Sequence, residues 1–198
     1  SESLAAPGKR ITFEQAKFNQ ELMPTYVCQL LEEMFGNEAY KYFTNISYYE
    51  TSSQAKEAYK GLMSDAELSK FDEAIMSTIG RGSFGKGIKS HLVVLGSAFE
   101  ASSFSIDQQI IHSPPTEILT KARLGHEYLH AKDNFEGIKL EDGTLIGASD
   151  YNRIGLGVRE FLKETRGYIK QIEISRFSEK ANPIYVVAKK WEKLPPAY

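Results

Sequence analysis

Two of the chain's four histidines stand in one short string, His126-Glu127-Tyr128-Leu129-His130. On a helix, positions four apart share a face with Cβ atoms about 5–6 Å apart, so two imidazoles placed this way can converge on one ion. Glu127 lies beside that face, where its carboxylate reaches a water polarised by the ion rather than the ion itself. Zinc brings the pKa of such a water toward ~7, and a carboxylate that takes its proton lets the oxygen attack a polarised carbonyl. The string therefore supplies two ligands and the general base of a hydrolytic zinc centre, and lacks one ligand.

For that chemistry the string must be helical and packed inside a domain. Its small and apolar flanks, Leu124-Gly125 and Ala131, suit a helix with close neighbours. Pro114 and Pro115 close a β-prone run, Ile106 to His112, and Thr116 is placed to cap a helix reaching about Ala131, with Glu117 in its first turn. Upstream, the first dozen residues read as an arm. Apolar residues at helical spacing from Phe13 to Met34 predict two helices or one kinked at Pro24. Ser53 to Leu62 and Ser64 to Ile79 follow as helices, the second opened by a Ser64/Glu67 capping box. Ile88 to Leu95 and Ile106 to His112 are rich in Ile and Val and read as strands. Asp133 to Asp150 reads as a loop or short hairpin. Ile154 to about Phe177 reads as a long helix whose apolar face carries Val158, Phe161, Leu162, Tyr168, Ile169 and Ile172. The order predicts an α+β chain: a helical N-terminal half, a small and mostly antiparallel sheet, the helix of the His-Glu string, then a second long helix. Length and composition predict one domain over residues 1–198, with residues 1–12 as its arm.

The string Leu124-Gly125-His126-Glu127-Tyr128-Leu129-His130-Ala131 resembles the active-site helix of the zincin metallopeptidases. The resemblance implies a zinc-dependent endopeptidase whose protein or peptide substrate lies extended along the edge strand of a small sheet, here residues 106–112. The metzincin extension is absent, since Asp133 and Glu136 stand where its Gly and His would be. Glutamate zincins take the third ligand from a later helix, and Glu160, Glu164 and Glu173 all fall on the predicted one. Glu164 is preferred, because Glu164 to Gln171 resembles the Glu-x-x-x-Tyr-x-x-Gln third-ligand helix of small glutamate zincins and Gly167 permits close packing. Glu160 is the runner-up, and Asp150 would serve in an aspartate zincin. Tyr168, and also Tyr151, can donate a hydrogen bond to the oxyanion of a tetrahedral intermediate. The small size of the chain also resembles that of secreted or translocated protease toxins and effectors.

Other features are weaker. His91 and His112 fall in predicted strands, where histidine is usually structural, although His112 can line a cleft. Arg123 and Arg166 can orient carboxylates. Gly80 to Gly87, GRGSFGKG, imitates a phosphate loop, but Gly87 replaces the hydroxyl residue that would hold Mg²⁺, and the loop lies between helix and strand in the wrong order. It reads as a flexible connection. Peptide deformylase needs a Gly-Cys-Leu ligand segment, whereas Cys28 stands in Val27-Cys28-Gln29 and, as a single cysteine, can form neither an internal disulfide nor a thiolate zinc cluster. It reads as a buried small hydrophobe. The net charge of −2 argues against a nucleic-acid partner. No apolar run approaches the ~20 residues of a membrane span. The start at Ser1 rather than Met is compatible with a removed leader. A monomer is expected. The rival class is a noncatalytic interaction protein, for which Pro195-Pro196-Ala197-Tyr198 offers a PPxY motif.

Overall fold

The computed structural model describes residues 10–80, 84–101, 103–106, 109–112 and 115–176. The PPxY tail, Trp191 and the β-prone run Ile184 to Ala188 lie outside the described residues. The chain is α+β, and its described residues fall into two compact units, one within Ser1–Ile79 and Lys89–Ala98, the other within Gly80–Ile88 and Phe99–Tyr198.

In the first unit, α1 (Phe13–Phe18) begins at a capping box in which Thr12 and Gln15 each accept the other's backbone N–H. Pro24 lies in the first turn of α2 (Met23–Phe35). There its missing N–H removes no helical bond, so it starts this helix instead of kinking a longer one. Tyr26, Val27, Leu30 and Leu31 form the buried stripe of α2, with Cys28 beside them. Burial, with Glu32 nearby, pushes the Cys28 thiol up to about 12. Next come α3 (Glu38–Tyr42), β1 (Phe43–Tyr49) and α4 (Ser52–Tyr59).

The Ser64/Glu67 box does open a helix, but α5 spans only Asp65–Leu68, passes into a 3-10 turn at Ser69–Asp72, and gives way to β2 (Met76–Ile79). The sequence reading of one helix from Ser64 to Ile79 is corrected here. Strand pairing decides, since Met76 to Ile79 is the antiparallel neighbour of β3 (Ser90–Leu95), whose other edge pairs in parallel with β1. Leu92, Val93, Val94 and Leu95 are all buried, which suits a central strand covered on both faces. Ala55, Phe71, Val93 and Leu95 form one cluster, against which Tyr59, Leu68 and Ile79 pack. His91 Nε2 hydrogen-bonds the hydroxyls of Ser47 (2.9 Å) and Tyr59 (2.8 Å), and burial lowers its pKa.

In the second unit, the predicted strand 106–112 is two strands of a hairpin: β4 (Ser103–Ile106) pairs antiparallel with β5 (Gln109–His112), Ile106 opposite Gln109. The long helix α6 (Thr116–Glu136) follows. Its N-cap is Pro115 rather than Thr116. It outruns its expected end at Ala131 until Gly137, at φ 84°, stops it. The stretch read as a loop or short hairpin holds the hairpin β6 (Ile138–Lys139) and β7 (Leu145–Ile146) and the start of α7 (Ala148–Arg153), and the predicted long helix follows as α8 (Leu156–Ser175). The turn at Phe84–Gly87 docks on the end of α6. Gly85 N–H donates to Asn134 O and Gly87 N–H to Phe135 O, both at 2.7 Å. A Cβ on Gly85 would meet Ala148 N at 2.9 Å. Two amides that a phosphate loop would aim at its ligand are thus engaged by backbone carbonyls.

Candidate metal centre

The site is built where α8 packs on α6. Gly125 faces Ile174, His126 faces Gly167, and His130 meets Glu164, so α8 runs antiparallel to α6. Two glycines permit this approach. A Cβ on Gly125 would collide with Ile174, and one on Gly167 would fall 2.6–2.8 Å from three ring atoms of His126. The small residue at 167 lets the backbone of α8 lie against the imidazole itself.

His126, Glu127 and His130 are all buried, and each offers a ligand atom within 4.8 Å of the others, close enough to hold a metal ion. Glu164 enters from α8, with Oε2 3.6 Å from His126 Nε2 and Oε1 3.3 Å from His130 Nε2. Donors bound tetrahedrally at 2.0–2.2 Å to an ion of zinc's size stand about 3.4 Å from one another. The two separations bracket that value, and two imidazoles with a carboxylate are a donor set suited to a divalent cation.

His126 Nδ1–H donates to Gln171 Oε1 at 3.1 Å, which leaves Nε2 to face the carboxylate. No described group hydrogen-bonds the buried His130 Nδ1. Burial works against charge on His126, but contact with Glu164, aided by Glu127, holds its pKa above the ordinary value. For Glu164, burial is outweighed by contacts with His126 and His130, which hold the carboxyl well below the usual range.

The remaining sequence candidates separate clearly. Tyr168 stands edge-on to His126, ring centroids 4.9 Å apart. Tyr151 instead stacks on Phe84 at 3.7 Å, with the Arg159 guanidinium over its other side at 4.7 Å. Glu160 and Asp150 are exposed. Glu173, also exposed, pairs with Lys170. Arg123 donates to Glu100 O. Arg166 makes a two-pronged pair with Asp133, and that carboxylate raises its pKa. His112 lies in β5, its side chain outside the description.

Sequence reasoning assigned no role to Gln171 or Asp133. Gln171 was visible as the end of the Glu-x-x-x-Tyr-x-x-Gln string, one helical turn beyond Gly167. Asp133 was visible one turn after His130, but its partner is on another helix. Compared with protein families, curated proteins and solved structures, the chain matches none of them.

Proposed function

We propose that the chain is a zinc-dependent endopeptidase in which His126, His130 and Glu164 hold the ion and Glu127 is the general base. One observation carries this reading: a single Glu164 carboxylate approaches Nε2 of His126 and of His130 at 3.6 and 3.3 Å. When bound, zinc supplies a Lewis acid for the scissile carbonyl and a water acidified to near neutrality. Glu127 takes a proton from the attacking water as its oxygen bonds to the carbonyl carbon. It returns that proton to the amide nitrogen as the C–N bond breaks, leaving a carboxylic acid and an amine. Tyr168, against His126, is the candidate donor to the oxyanion.

An extended peptide would be held by its main chain. Among the described residues β5 has a strand partner, β4, on one side. On its other edge no described strand pairs with it, and there an extended peptide could bond its N–H and C=O groups as an added strand.

Metal analysis of the purified protein, with mass spectrometry of an unfolded protein substrate before and after chelation, tests the reading. One zinc per chain, and cleavage that chelation removes and zinc restores, is the expected result. Folded protein that takes up no added zinc overturns it.

A further inference from the structure

We propose that the half-buried Asp133–Arg166 pair positions Glu164, by fixing where α8 lies along α6 and hence how far the ligand carboxylate reaches toward the two imidazoles. The proposal rests on the reading of His126, His130 and Glu164 as zinc ligands, and adds two positioning residues to it. Arg166 Nε and Nη2 donate to Asp133 Oδ2 and Oδ1, each at 2.8 Å. The Asp133 side chain is 2% exposed and that of Arg166 29%.

The placement follows from helix geometry. Asp133 stands one turn beyond His130 on α6, and Arg166 two residues beyond Glu164 on α8. Helical side chains lean toward the N-terminus of their own helix. In an antiparallel pair, Arg166 therefore leans along α8 toward the level of the C-terminal turns of α6, where Asp133 is. A fork of two parallel bonds tolerates little sliding or rotation. A sliding or turning of α8 that broke it would carry Glu164 away from both Nε2 atoms.

Stability alone is a poor reason for such a pair. Taking two charges out of water costs about as much as their attraction returns, and apolar residues of similar volume often hold elements together as well. A defined geometry is what the fork adds. At the other end of the site, Gly125 and Gly167 bring the backbones close.

The test is zinc affinity, measured by competition with a chelator on protein shown by circular dichroism to be folded. Arg166→Gln is expected to weaken zinc binding about 10–100-fold, the range for groups that orient metal ligands, and to alter the visible spectrum of the cobalt-substituted protein. Arg166→Lys, which keeps the charge but loses the fork, should lie between wild type and Arg166→Gln; it also gives the answer if the glutamine variant does not fold. The decisive comparison uses the Glu164→Ala background, where Arg166→Gln should cost no further affinity because the ligand it positions is gone. Wild-type zinc affinity in folded Arg166 variants, whatever their melting temperature, overturns the positioning role. So does an equal loss in the presence and absence of Glu164. A wild-type protein that binds no zinc removes the metal reading itself, a different result from a wild-type protein that binds zinc and variants that bind it equally well.

Discussion

Glu127 and Glu164 are both carboxylates close to the same imidazoles, and isosteric amides separate their roles. Glu127→Gln should keep the fold and the zinc but lose 10²- to 10⁴-fold in kcat, the range for a lost general base. Glu164→Gln should lose zinc affinity together with activity; zinc analysis beside peptide cleavage distinguishes the two. A third residue, His91, gives a pH dependence whose sign follows from its burial. Its folded pKa lies below the unfolded value, so the neutral ring in its bonds to Ser47 and Tyr59 stabilises the fold above about pH 6.5, and that contribution is lost as pH falls through the folded pKa. Wild type should melt higher than His91→Gln at pH 8, and the gap should narrow toward pH 5; a gap that widened would contradict the assignment. Residues such as His126, Glu127 and His130 were legible in the sequence because a helix turns spacing directly into proximity. Gln171 and Asp133 stood in view, Gln171 as the end of the Glu-x-x-x-Tyr-x-x-Gln string, but their roles were not legible, because their partners lie on a facing helix and the string does not say which side chain will meet them.

At the scale of elements, the site belongs to a pair of helices rather than to a motif. Gly167→Ala should favour α8 by about 1 kcal/mol on intrinsic propensity. The added Cβ would lie 2.6–2.8 Å from the His126 ring, so ring or helix must move. Zinc affinity is therefore expected to fall even where the helix content measured by circular dichroism rises. Elements were legible where pattern and context agreed: α8 carried its own periodicity, the Pro114-Pro115 break foretold the start of α6, and the Ser64/Glu67 box marked the start of α5. They were illegible where a neighbour decided. Met76 to Ile79 has apolar residues that suit a helix face, but the antiparallel edge of β3 makes it a strand. β1 has Ile46 and Ser47 opposite Leu92 and Val93 in a parallel ladder, and its β-prone Phe43, Thr44, Ile46, Tyr48 and Tyr49 were a local signal that the sequence reading passed over.

For the whole molecule, the α+β class followed from the order of elements, whereas the division into two units did not, because the second unit is assembled from stretches on both sides of β3. Zinc should stabilise the native chain as a ligand of the folded helix pair: at a free concentration one hundred times Kd the gain is about 2.7 kcal/mol. It should appear as slower hydrogen exchange in α6 and α8, and be smaller in Glu164→Ala at the same zinc concentration. The docking of Phe84–Gly87 on the end of α6 has a consequence in time. Its partners Asn134 and Phe135 are separated from it by the whole of β3, β4, β5 and nearly all of α6. Contacts so far apart in sequence carry a large closure entropy and belong to the late side of the folding barrier. Removing the Phe84 ring from beneath Tyr151 should therefore leave the refolding rate nearly unchanged. The loss of about 3 kcal/mol expected for a buried Phe→Ala would fall on unfolding, roughly a hundredfold faster. On that expectation Phe84–Gly87 is a latch that closes last, and its release sets how long the folded helix pair persists.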